Sequence, residues 1–304
     1  MVRKSQPQES RKEGPGSSPE YEKAPPEVVR QALLRLEAYC PASEEEEILG
    51  TRRVMERGIL RGAKTVGIVS LENDGKAISK LASEEKPIIH RHRDGTPARL
   101  NVKEGTYARR AVASYIVSKM LEFDIVPPTV LRGDADEQSL QRFIPGAKAG
   151  SEIWDEVFTS VQQSPARFSN IDDEFVKLTL FDYIIYNPDR HSANFLIEEI
   201  GDGNKKRLHA IDNDLAFAQT NVATYGLNKL NMFGKPIPED MRAKIRAFCA
   251  SAEKKVALEN ALSALLSPEE ADACMRRIKR VGAWCEEKGT VPTKEQAAVW
   301  MTYH

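Results

Sequence analysis

The spacing of hydrophobic positions changes several times along the chain, and each change predicts an element. From Glu27, the residues Val28, Val29, Ala32, Leu33 and Leu36 recur three and four apart, as on one face of a helix. Ser43 with Glu46 three residues later forms a capping box, which predicts a short second helix carrying Ile48, Leu49 and Val54. Thr65 to Leu71 and Lys76 to Ala82 then read as strands joined by Glu72-Asn-Asp-Gly75, a β-hairpin with Asp74-Gly75 at its tip. Glu84 to Gly105 is polar and basic, carries a second Asp-Gly at Asp94-Gly95, and reads as a loop. The stripe Tyr107, Ala111, Tyr115, Ile116, Met120 predicts a long helix that breaks before Pro127-Pro128, since proline cannot continue a helix. Thr129 to Leu131 and Ser139 to Ile144 predict two further strands, closed by Pro145-Gly146.

Beyond Gly150 the pattern is mainly helical. Asp172 to Asn187 is a helix rich in Phe175, Leu178, Leu180, Phe181, Ile184 and Ile185, followed by a hairpin with arms Phe195–Ile200 and Arg207–Ile211. Ser267-Pro268 with Glu270 starts a later helix that stops at Gly289, and Thr293 with Gln296 starts a last short one. Strands in the first half and helices in the second predict an α+β, bilobal fold with a cleft between the lobes. The expected division is a proline- and serine-rich disordered tail over 1–26, a strand-rich lobe with leading helices over 27–146, and a helical lobe over 147–304.

Composition narrows the function. The 304 residues, 41% hydrophobic and 29% charged, can bury a sizeable core. The 44 basic and 45 acidic residues give a net charge of -1, so the molecule as a whole has no attraction for nucleic acid. No apolar run reaches the roughly 18 residues a membrane span needs, and no secretory leader is visible, so the expected location is cytoplasmic. Cys40, Cys249, Cys274 and Cys285 form no Cys-x-x-Cys pair and read as buried thiols. His90 and His92 lack a second ligand pair and read as part of a solvated basic loop. Lys254, Lys255, Arg276, Arg277, Lys279 and Arg280 alternate with acids and read as a solvated helix face.

The chemistry concentrates in Tyr186-Asn-Pro-Asp-Arg-His-Ser-Ala-Asn194 and Ala210-Ile-Asp-Asn-Asp214. Asn194 precedes one arm of the second hairpin and Asp212 follows the other, so antiparallel pairing carries both to its open end. An amide and a carboxylate oxygen there suit Mg²⁺ shared with a phosphate chain. Asp189, five residues before Asn194, is placed to accept a proton from an attacking hydroxyl. An Asp, an Asn five later and an Asp beyond a short hairpin are the working parts of kinase phosphoryl transfer.

These two blocks, with Tyr107-Ala-Arg-Arg-Ala-Val-Ala-Ser-Tyr115, Phe123-Asp-Ile-Val-Pro-Pro-Thr-Val130 and Ser139-Leu-Gln-Arg-Phe-Ile-Pro-Gly146, resemble the atypical kinases related to phosphatidylinositol 3- and 4-kinases, secretory-pathway casein kinases and HipA-type kinases. The resemblance covers roughly residues 60 to 220 and implies a bilobal kinase-like fold using ATP and Mg²⁺. It implies Asp189 as catalytic base, Arg190 and His191 as supports of its loop, and Asn194 and Asp212 as metal ligands. It also implies Lys80 on the phosphates, and Gln141, Phe143 and Ile144 around the adenine. Two positions depart from it. Ala111 stands where relatives carry a Glu that pairs with the lysine, leaving Glu104 as a substitute, and Asp214 stands where relatives often have Gly. The implied acceptor is a protein Ser/Thr hydroxyl, with a phosphatidylinositol hydroxyl second; a nucleotide-binding pseudokinase is the competing class, and an AMP-transferring enzyme a third.

Overall fold

In the computed structural model the described residues are 22–59, 66–73, 75–85, 90–91, 97–98, 102–103, 105–133, 136–153, 170–201, 205–218, 232–293 and 295–297. Most of the expected tail, Asp74, His92 with Asp94-Gly95, and Glu104 lie outside them. The elements run α1 (Pro26–Leu36), α2 (Glu44–Thr51), β1 (Val54–Ile59), β2 (Val66–Leu71), β3 (Gly75–Leu81), β4 (His90–Arg91), β5 (Pro97–Ala98), α3 (Tyr107–Met120), β6 (Thr129–Arg132), β7 (Gln138–Arg142) and β8 (Lys148–Ala149). They continue with α4 (Ile171–Ile185), β9 (Phe195–Ile200), β10 (Lys205–Ala210), α5 (Glu239–Ala250), α6 (Ala252–Leu265) and α7 (Pro268–Glu287).

The first half builds an antiparallel sheet in the order β1-β2-β3-β7-β6, and the second a smaller sheet, β10-β9-β8, set among helices. This is the bilobal α+β architecture that the patterning implies. The capping boxes are present at Ser43/Glu46 and Ser267/Glu270, and Thr293 and Gln296 satisfy each other's backbone in the same way. Gly289 takes φ 64°, the left-handed geometry that ends α7.

Three expectations are corrected. Val54 does not belong to α2: the backbone turns extended at Arg52, and Val54 opens β1, paired with Leu71. β1 is an exposed edge strand with Glu56 and Arg57 on it, so it has no apolar alternation to reveal it. α3 is not a one-sided stripe, because every residue in it except Lys119 is buried. Its two arginines are neutralised in place: Arg109 lies bidentate on Glu137 with Nε at 3.1 and 2.9 Å, and Arg110 pairs with Glu270. Arg277 is not on a solvated face; it is buried, donates to the Ile184 carbonyl at 2.7 Å, and lies 5.6 Å from the Tyr186 ring centroid.

The large core joins α3 through α7 with the inner faces of β9 and β10, and includes an edge-on Phe175–Phe195 contact of 5.7 Å. α1 shares it through Val29 and Leu36 and packs on α6, so by packing it goes with the helical lobe, not with the strands that follow it in sequence. A separate small core, from Leu49, Val69, Leu71, Ala77 and Leu140, supports the five-stranded sheet.

Cys274 and Cys285 are buried and Cys40 and Cys249 half-buried. Burial pushes the Cys274 thiol up to about 11 and Cys285 up to about 12, and raises the other two. Native protein treated with iodoacetamide at neutral pH should therefore keep Cys274 and Cys285 unmodified, both alkylating only after guanidinium unfolding. Mass spectrometry of the cysteine peptides reads this, and rapid native labelling of Cys274 would contradict the packing.

Candidate active site

β3 is an inner strand, with Lys80 opposite Val66 on one side and Ser139 on the other. Ala77 and Ser79 point into the body of the sheet, so the alternation leaves Lys80 on the opposite face. There its ammonium meets two carboxylates from the other lobe: it pairs with Asp212 and, at 2.9 Å, with Asp214. Burial opposes a charged lysine, but the two carboxylates outweigh it and hold Lys80 above its ordinary pKa. Lys80 in turn holds the Asp212 carboxyl below its ordinary value, whereas burial raises that of Asp214.

The hairpin brings the rest of the site to this point. Phe195 pairs with Ala210, and the Ile211 N–H continues the ladder onto the Asn194 carbonyl at 3.2 Å, so Asn194 and Asp212 leave the hairpin side by side. The Asn194 amide donates to the Asp189 carbonyl at 2.9 Å and reaches its carboxylate at 3.4 Å. That orientation leaves Asn194 Oδ1, an oxygen, as its remaining acceptor. An exposed carboxylate and an amide oxygen are hard donors that fit a divalent cation shared with phosphate, so the residues present suit the group the motif implies.

Arg190 is 1% exposed and Asp182, on α4, is fully buried; the guanidinium spans the carboxylate at 3.0 to 3.2 Å. Arg190 also donates to the carbonyls of Asn194 and Ile211 and, at 2.5 Å, to Asn213 Oδ1. Arg190 therefore spends its donors on buried protein groups. It is a positioning residue that ties the loop carrying Asp189 to both ends of the hairpin. The backbone around it is strained, with Tyr186, Asp212 and Phe217 at φ 49°, 57° and 62°. Such left-handed residues other than glycine cost about 1–3 kcal/mol each and persist where the surroundings hold them. Here the Phe217 N–H on the Ile185 carbonyl at 2.7 Å and the buried rings of Tyr186 and Phe217 do so.

His191 is 46% exposed; its Nδ1 accepts from the Ala193 N–H at 3.2 Å, and its Nε2 lies 3.9 Å from Asp189 Oδ2. Accepting at Nδ1 fixes the proton on Nε2, on the side of Asp189. Gln141 donates to Thr129 Oγ1 at 2.9 Å, so its amide braces β6 on β7. Phe143 and Ile144 follow directly on β7; the Phe143 N–H lies 3.4 Å from the Lys76 carbonyl, and Ile144 is buried.

The residues that patterning missed are Asp182 and Asn213. Asp182 is a polar residue in an apolar run, which was its only signal, whereas Asn213 lies inside the Asp-Asn-Asp turn and shows its part only through its buried bonds to Arg190 and Asn187.

No family model and no curated protein matches the chain. Among solved structures, it is similar to the Golgi casein kinase, with a TM-score of 0.56 and 14% identity over 84% of this chain and 82% of the other. The same kinase with Mn and ADP bound aligns at 0.55 and 14% over 82% and 79%. Hydra Fam20 with sugar aligns at 0.54 and 11% over 84% and 96%. The chain thus has the fold of these kinases.

Proposed function

We propose that the chain is an ATP- and Mg²⁺-dependent phosphotransferase with a hydroxyl acceptor, a protein Ser/Thr first and a phosphatidylinositol second. The observation that carries it is the meeting of Lys80, from the sheet, with Asp212, from the helical lobe, beside a hairpin end that holds Asn194 and Asp189. The fold supports it, because a Golgi casein kinase of the same fold binds Mn and ADP.

In this reading Asp212 and Asn194 hold the cation, which neutralises phosphate charge when bound. Lys80 binds the phosphate chain, and the backbone at Phe143 and Ile144 lines the adenine. The acceptor oxygen bonds to the γ-phosphorus, the bond from that phosphorus to the β–γ bridging oxygen breaks, and the hydroxyl proton passes to Asp189. Arg190 keeps Asp189 and Asn194 in register without contacting either reactant.

The test is thermal stabilisation by ADP with and without Mg²⁺, together with transfer from γ- and α-labelled ATP to casein, peptides and phosphatidylinositol vesicles. The expected result is Mg²⁺-dependent stabilisation and transfer of the γ label only. Binding without transfer would make the chain a nucleotide-binding pseudokinase, and transfer of the α label would make it an AMP transferase. Absence of nucleotide binding would end the reading.

A further inference from the structure

We propose that Asp214 is the residue that positions Lys80, and that by sharing the lysine with Asp212 it makes phosphate binding depend on a divalent cation. This rests on the nucleotide-site reading above. α3, the helix expected to supply the lysine's partner, has no acidic residue anywhere in Tyr107–Met120, and position 111 is a buried alanine. Among the described residues, the partners of Lys80 instead come from the turn after β10, with Asp214 at 2.9 Å.

The turn is built to present them. Asp212 is left-handed at φ 57°, and Asn213 between the two acids faces the opposite way. Its Oδ1 receives Arg190 at 2.5 Å and Asn187 at 3.3 Å, and its amide donates to the Ala210 carbonyl at 3.1 Å. Pinned from behind, the turn keeps both flanking carboxylates on the lysine. They differ in access: the Asp212 side chain is 43% exposed and that of Asp214 13%. Asp212 can turn toward a cation from solvent, whereas Asp214 stays enclosed against Lys80.

Charge completes the argument. One ammonium and two carboxylates carry a net negative charge, which opposes a phosphate chain. Once a cation takes Asp212, the lysine remains held by a single carboxylate, and its other ammonium hydrogens can serve the phosphates. Removing the charge of Asp214 therefore acts in two directions. Without metal it relieves the repulsion, and with metal it leaves Lys80 without its anchor.

The experiment titrates ADP calorimetrically into the full chain and its D214N and D214E variants, in Mg²⁺ and in EDTA, and measures kcat and KM for ATP. D214N should bind metal-free ADP about tenfold more tightly than the unaltered chain, while in Mg²⁺ its kcat falls about tenfold or more with a smaller change in KM. D214E should restore both values toward the starting ones. If D214N fails to fold, Asp214→Ser carries the same comparison. An unaltered chain that does not bind ADP in Mg²⁺ removes the nucleotide-site reading itself. Normal binding by that chain, with D214N weaker in both conditions or unchanged in all, overturns the role of Asp214 alone.

Discussion

Asparagine at position 189 should lower kcat by about 10²- to 10⁴-fold while leaving ADP affinity in Mg²⁺ within a few-fold of the unaltered chain. The two side chains have the same shape, and the Asp189 N–H on Asn187 Oδ1 at 3.0 Å and its carbonyl on Asn194 are backbone bonds that survive the change. What is lost is the proton acceptor. Asparagine at position 212 should fail differently. It removes a carboxylate that Lys80 holds in its charged form, so Mg²⁺-dependent ADP binding weakens together with turnover. Calorimetry and single-turnover transfer on both variants separate the two roles. An Asp189→Asn enzyme that still transfers phosphate at a rate close to the original would remove the base from the mechanism.

Arg190→Met should destabilise the protein by about 3–5 kcal/mol, because it leaves the Asp182 carboxylate as a buried charge without its counter-ion. The carbonyls of Asn194 and Ile211 lose a donor at the same time. Burial already raises the Asp182 carboxyl above its ordinary value against the pull of Arg190, and without the arginine the shift grows. A carboxyl with a raised folded-state pKa binds a proton more readily folded than unfolded, so the penalty in the variant should shrink as pH falls below neutrality. Urea denaturation at several pH values measures this. Adding Asp182→Asn to Arg190→Met should recover part of the loss, since it removes the charge that was stranded. An equal loss at every pH, with no recovery in the double variant, would mean that the cost comes from lost packing and not from the ion pair.

Much of the fold could be read from local spacing. The capping boxes at Ser43 and Ser267 and the stop at Gly289 involve partners within a few residues, and their geometry is set by the chain itself. The same holds for the two hairpins, and through the second for the neighbouring exits of Asn194 and Asp212, because antiparallel register follows from the strands and their turn. Edge strand β1 was hidden because exposure on both faces leaves no hydrophobic period. The all-round burial of α3 was hidden because Arg109 and Arg110 interrupt its apolar pattern, and their partners Glu137 and Glu270 lie far along the chain.

By itself, then, the sequence determined the secondary elements with local caps, the hairpin that gathers the oxygen donors, and the lysine strand that would oppose them. Only the tertiary structure decided that Lys80 meets the carboxylates of Asp212 and Asp214, across 132 and 134 residues of chain. It also decided that Arg190 is a buried brace and that α1 packs with the helical lobe. The division has one physical cause: caps and register are fixed by neighbours in sequence, whereas the partner of a buried charge is fixed by whichever group the packing of distant elements brings within hydrogen-bond reach.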